Sequence, residues 1–149
     1  MAVRWFLLDE DLIDEARVIR DGILDDRLRL TAPAVLWSEV TQSLVKAVRR
    51  GRLDRTAART IAHAIAEVRP LVAAVDLDPV ETVLTAFRTD LNAYDAQYLS
   101  LGSNQGVSVL TADLRMLEQG RAHGYDVVWL GDVTLRDGVL VDTPQGYQG

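Results

Sequence analysis

No cysteine occurs in the sequence. Disulfides and thiolate metal sites are therefore excluded, and the compartment must be read from other features. Histidine is nearly as scarce, with only His63 and His123. Neither has a partner at metal-ligand spacing, so a histidine-rich zinc centre is not expected, and both read as surface or packing residues. Any metal would be held by oxygen, which favours Mg²⁺, Mn²⁺ or Ca²⁺. No apolar run approaches the roughly 20 residues of a membrane span. The segment Met1–Leu8 is too short for a signal peptide and lacks a small-residue cleavage site before the acids that follow. The expected location is cytoplasmic. Glycines stand singly at helix ends, and no Gly-rich loop follows a strand, so a small-molecule enzyme with a phosphate cradle is poorly supported. Positive charge is in the minority, with 16 Lys and Arg against 22 Asp and Glu and a net charge of −6. That is not the profile of a sequence-reading duplex-DNA binder. It still permits a metal-dependent nuclease, because the acids themselves can form the metal site.

What is present suits one globular domain. The 149 residues can bury a core without staples, and 48% hydrophobic with 26% charged residues is ordinary for such a chain. Repeats, linkers and low-complexity blocks are lacking. The basic residues are nearly all arginine, which suits forked phosphate contacts and surface ion pairs alike.

Taken in order, Val3–Leu8 is a short apolar segment that looks like the end of an element. Asp9-Glu10-Asp11 opens a helix with Leu12, Ile13, Ala16, Ile19, Ile23 and Leu24 at helical spacing, and Asp25-Asp26-Arg27 closes it. A brief strand at Leu28–Thr31 leads to Pro33 in the first turn of a second helix. Val35, Leu36, Val40, Leu44, Val45 and Val48 form its buried stripe, and Gly51 follows its end. Asp54 caps a third helix with Ala58, Ile61, Ala62, Ile65 and Val68 inside. Pro70 stops it, and Leu71–Leu77 reads as a strand. Asp78-Pro79-Val80-Glu81 places an N-cap, a proline at the first helical position and a carboxylate two residues on, the start of a helix carrying Val83, Leu84 and Phe87. Leu91-Asn92 breaks it, and Ala93–Ser103 is the next helix. Asn104-Gln105-Gly106 turns into strand Val107–Leu110. Asp113 then opens a short helix that Gly124 ends, and Asp126–Leu130 is a last core strand. Val133–Val141 alternates around Asp137-Gly138, a hairpin pattern, and Thr143–Gly149 is polar and Gly-rich. Strands alternating with helices imply a parallel sheet. The expected fold is α/β, a three-layer α/β/α sandwich with short strands.

Three carboxylates carry the chemistry. Glu39 lies early in the Pro33 helix among Val35, Leu36, Trp37 and Val40. Asp95 lies in the first turn of its helix, and Asp113 directly follows strand Val107–Leu110. Clustered half-buried carboxylates repel one another and desolvate badly, so they call for protons or a cation. Two to four of them around Mg²⁺ or Mn²⁺ would serve phosphodiester hydrolysis. Each also has a plain structural explanation: Asp95 and Asp113 could satisfy free amides at helix N-termini, and Glu39 is a good helix former. Trp5, Trp37 and Trp129 read as core. Lys46, Arg49, Arg50 and Arg52 read as a solvated helix end before a phosphate-contacting patch.

The order of these pieces resembles that of PIN-domain proteins, most closely the VapC-like toxins of type II toxin–antitoxin systems. The pieces are Val3-Arg4-Trp5-Phe6-Leu7 before an acidic run, Pro33 with Glu39 six residues on, Tyr94-Asp95-Ala96-Gln97-Tyr98-Leu99, and Leu110-Thr111-Ala112-Asp113. The resemblance spans about Val3 to Val133. It implies a PIN-like domain over residues 1–133 with a hairpin-like tail over 134–149. It also implies a Mg²⁺- or Mn²⁺-dependent endoribonuclease with Glu39, Asp95 and Asp113 as catalytic metal ligands. Arg4 and Arg115 would be candidates for the RNA phosphate, with surface ion pairing the readier role for both. A cognate antitoxin and a homodimer belong to the same expectation. One departure matters. Family members begin with a hydrophobic strand bearing an Asp several residues before the Val-Lys/Arg-Trp-Phe segment, and here Met1 stands three residues before Arg4. Either the reading frame starts upstream, which an in-frame stop immediately before Met1 would exclude, or the chain is a truncated variant that cleaves weakly or only binds.

Overall fold

A computed structural model of the protein describes residues 12–136 and 139–142. It is mixed α/β, with six α-helices and short strands among the described residues. Helix α1 (Ile13–Leu24) leads to strand β1 (Leu30–Pro33), then α2 (Leu36–Arg49) and α3 (Arg55–Val68). A 3-10 turn at Arg69–Leu71 precedes β2 (Val72–Val75), and α4 (Pro79–Thr89) and α5 (Ala93–Gln105) follow as a helical pair. Then come β3 (Val109–Thr111), α6 (Leu114–Ala122), β4 (Val127–Trp129), a 3-10 turn at Leu130–Asp132, and the pair β5 (Val133–Arg136) and β6 (Val139–Asp142).

The parallel sheet anticipated from the α/β alternation is present as two separate pairs. Strand β1 runs parallel to β2, with Leu30 opposite Val72 and Pro33 opposite Val75. Strand β3 runs parallel to β4, with Val109 opposite Val127 and Thr111 opposite Trp129. Among the described residues no strand joins the two pairs. The C-terminal alternation forms the expected antiparallel hairpin, Arg136 opposite Val139. Asp137, Gly138, Thr143–Gly149 and everything before Leu12, including Val3–Leu8 and the acidic run, lie outside the described residues.

Two boundaries differ from the sequence reading for identifiable reasons. Pro33 ends β1 and does not start α2, which begins at Leu36. The Ala34 amide donates to the Val75 carbonyl at 2.9 Å. By alternation the neighbouring Pro33 nitrogen faces away from β2, so its missing N–H costs the ladder nothing. Strand β3 starts two residues late because Gly106 closes α5 in the left-handed region, φ +63°, and the Val107 amide is still bound to the Gly102 carbonyl.

Buried side chains form two clusters. The larger gathers Ala16, Ile19 and Ile23 of α1, Trp37, Val40 and Leu44 of α2, Ile65 and Val68 of α3, and Leu130 and Val133 near the end of the chain. The smaller holds Leu91, Leu99, Val109, Met116, Leu117 and Val127. Successive residues of β3 and β4 face opposite ways. Val109 and Val127 enter the smaller cluster, while Leu110 and Val128 pack on the larger. The stripes expected on α2 and α3 are met at Val40, Leu44, Ile65 and Val68, but Val45 and Ala62 are exposed. Helix α4 departs most, since Val83, Leu84 and Phe87 face outward.

Candidate functional site

Each of the three carboxylates sits at a helix N-terminus, where unpaired amides and the helix dipole favour negative charge. Glu39 lies in the first turn of α2, just beyond β1. Asp95 lies in the first turn of α5, and Asp113 caps α6 just beyond the C-terminal end of β3.

Asp113 does the work of an N-cap. One of its oxygens accepts from the Met116 amide at 3.0 Å, and its own amide donates to the Thr111 hydroxyl at 3.1 Å. Asp95 is not a cap, because Asn92 takes that role. The Asn92 Oδ1 accepts from the Asp95 amide at 2.9 Å, and its Nδ2 donates back to the Asp95 carboxylate at 2.6 Å. Glu39 is half-buried and accepts from the Tyr98 hydroxyl at 2.8 Å. Tyr98 follows Asp95 by three residues, so both lie on one face of α5.

The electrostatics join these groups. Burial raises the pKa of Asp95 first, and the nearby charge of Asp113 raises it further. The hydrogen bond from Asn92 and the charge of Arg115 oppose that shift. The Tyr98 phenol is pushed well above its ordinary range by burial, then by the charge of Glu39, its hydrogen bond to Glu39, and the charge of Asp95. Tyr98 therefore stays protonated and remains a donor. The line runs Glu39, Tyr98, Asp95, Asp113.

Among the described residues no three His, Asp or Glu side chains come close enough together to hold one ion. Asp95 and Asp113 are within electrostatic reach, while Glu39 reaches them through Tyr98. The donor chemistry, carboxylate oxygen without sulfur or imidazole, fits a hard divalent cation.

Arg115 pairs with Asp90, the residue that caps the C-terminal end of α4, through one nitrogen at 3.0 Å from the carboxylate and 2.6 Å from the carbonyl. This is the surface ion pair favoured for it. Arg4 and Trp5 lie outside the described residues. Trp37 is buried and Trp129 half-buried, while His63 and His123 are exposed. Lys46, Arg49 and Arg50 are exposed at the end of α2. Sequence reasoning gave no role to Tyr98 and read Asn92 only as a break. The signals were there: Asn three residues before Asp is a cap pattern, and Asp95 to Tyr98 is helical spacing.

An open cleft of about 490 Å³ lies at the other end of β3, with Val107, Val109, Arg88, His123 and Tyr125 in its wall. Ligands of open α/β sheets gather beyond the C-terminal strand ends. Asp113 is at that end of β3 and the cleft is not, so the carboxylates are the better candidate.

No family model matches the sequence. No curated protein matches it either. Among solved structures, the chain is similar to PAE2754 from Pyrobaculum aerophilum, at 20% identity and a TM-score of 0.63 over 74% of this chain and 79% of that one. The two share a small α/β fold.

Proposed function

We propose that the protein is a metal-dependent endoribonuclease of the PIN type, related in design to VapC-like toxins. The observation that carries this reading is the Asp95–Asp113 pair. Asp95 lies in the first turn of α5 and Asp113 caps α6 just beyond the C-terminal end of β3, close enough that the charge of Asp113 raises the pKa of Asp95. The motif order from Pro33 through Glu39 to Asp113 supports it from the sequence side.

In this reading Asp95 and Asp113 hold Mg²⁺ or Mn²⁺, with Glu39 at the same acidic edge. Such an ion supplies activation of water and charge neutralisation at a phosphate. The chain itself contributes orientation. Asn92 fixes one oxygen of Asp95, the Met116 amide fixes one oxygen of Asp113, and Tyr98 fixes one oxygen of Glu39. One oxygen of each carboxylate is thereby committed to a structural bond, leaving the other for a cation. The substrate is RNA, and an antitoxin protein covering the acidic edge would block it.

Incubating the protein with labelled single-stranded RNA and Mn²⁺ tests the reading. Cleavage should require the metal, cease in excess EDTA, and be abolished by Asp95→Asn. Undiminished cleavage by that variant or in EDTA would count against it. A second reading is favoured by the lack of a three-carboxylate group among the described residues. It is a PIN-like module that binds RNA or an antitoxin without cutting, and RNA binding without cleavage in Mn²⁺ would select it.

A further inference from the structure

Positive charge is in the minority in this chain, yet it gathers at one place. Six of the 16 basic residues fall between positions 46 and 59, namely Lys46, Arg49, Arg50, Arg52, Arg55 and Arg59, against one acid, Asp54. All six are exposed, at the end of α2, in the turn after it and at the start of α3.

The turn that carries them is firmly built. Gly51 takes the left-handed region at φ +70°, its amide donates to the Val48 carbonyl at 3.0 Å, and the Arg52 amide donates to the Ala47 carbonyl at 3.0 Å. These bonds close α2 in a Schellman motif. Leu53 packs on the larger cluster, and the Asp54 carboxylate accepts from the Ala57 amide at 2.8 Å, so the one acid is engaged as a cap.

Solvated cations suit the negative end of a helix dipole, which accounts for Lys46, Arg49 and Arg50. It does not account for Arg55 and Arg59. They stand near the positive end of the α3 dipole, with no acid in the first turn, at the i, i+4 spacing where like charges repel. Among the described residues, Lys46, Arg49, Arg50, Arg55 and Arg59 make no ion pair. The arrangement costs stability and leaves a positive field at the surface.

We infer that the α2–α3 turn is a tether for the phosphate backbone of single-stranded RNA, separate from the carboxylates. Five of the six cations are arginine, whose fork matches phosphate oxygens. No aromatic residue lies between 46 and 59, so bases find no stacking platform there and the contacts are to phosphate. A membrane surface would call for exposed Trp, Phe or Leu beside the cations, and a duplex for a broad basic face. Glu39 and Arg49 are separated by about 15 Å along α2. A strand held at the turn is thus kept clear of the acids and reaches them across about four nucleotides. The inference rests on the RNA of the proposed function, not on its metal chemistry.

Fluorescence anisotropy of a labelled oligouridylate of about 20 nucleotides, with the full chain in EDTA from about 25 to 200 mM salt, tests it. The logarithm of affinity should fall against the logarithm of salt with a slope of about −3. Arg49→Gln with Arg50→Gln, and Arg55→Gln with Arg59→Gln, should each make that slope shallower by about 1.4 and weaken low-salt binding by about tenfold. Neither pair should lower the melting temperature. Arg27→Gln, which removes a cation already paired with Asp25, should change nothing. Oligoadenylate should bind as oligouridylate does. Lack of binding at low salt, binding indifferent to both arginine pairs, a strong preference between the two oligonucleotides, or capture by phosphatidylserine vesicles and not by RNA overturns the inference. Cleavage in Mn²⁺ separates the two readings. A wild type that binds through these arginines but never cuts defeats the nuclease alone, and one that cuts while its binding ignores both pairs defeats the tether alone.

Discussion

Asp95 is the residue on which stability and the proposed chemistry both turn. Its pKa is raised from the ordinary value of 3.8, first by burial and then by Asp113. The folded chain therefore holds that proton more tightly than the unfolded chain. Its contribution to stability is greatest below 3.8 and falls as pH rises through the elevated folded value. Asp95→Asn should remove that decline. We expect its melting temperature at pH 7 to exceed the wild type by about 1–2 °C, with little difference at pH 3, in a thermal scan at both pH values. The same substitution should abolish metal-dependent cleavage, so stability and activity part company at one side chain. Tyr98→Phe acts in the opposite sense. It leaves the half-buried Glu39 carboxylate without its donor, and urea titration should show a loss of about 1.5 kcal/mol.

At the scale of elements, the helix starts set the site. Asn92→Ala should cost about 1 kcal/mol in chemical denaturation, as loss of a side-chain cap does. It also removes the hydrogen bond that restrains the pKa of Asp95, so the pH dependence of stability should steepen in that variant. Gly102 tests the packing of α5 on β3. A methyl group there would press into the Val109 side chain and lie 3.0 Å from the Val107 carbonyl. Gly102→Ala should destabilise by about 1–3 kcal/mol. Much of this organisation was legible in the residues. The Asp54 and Asp78 caps, the Asp113 helix start and the C-terminal hairpin all follow from local chemistry, which acts over four or five positions. What escaped was set by partners distant in sequence. The burial of Thr82, Thr85 and Thr89 depends on Ser100 across the helical pair, and hydrophobicity alone points the other way. The role of Tyr98 depends on Glu39, 59 positions earlier. The division of the strands into two parallel pairs is likewise a matter of tertiary placement.

For the whole molecule, no helix among the described residues is long and apolar enough to cross a membrane. In the proposed reading Asp95 and Asp113, on different helices, hold the cation, which would then add its binding free energy to folding. Mn²⁺ at a hundred times its dissociation constant should stabilise the wild type by about 2.7 kcal/mol and leave Asp95→Asn nearly unmoved, as read by differential scanning fluorimetry.

The two buried clusters give that linkage a direction. Glu39 stands on α2, which belongs to the larger cluster, and Asp95 and Asp113 flank the smaller. Units of this kind can open to solvent one at a time. Without metal, the backbone amides of β1 and of β3 should exchange hydrogen for deuterium at separate rates, each reporting its own cluster. In the proposed reading an ion on Asp95 and Asp113 is tied to Glu39 through Tyr98, so saturating Mn²⁺ should slow both strands toward one shared rate.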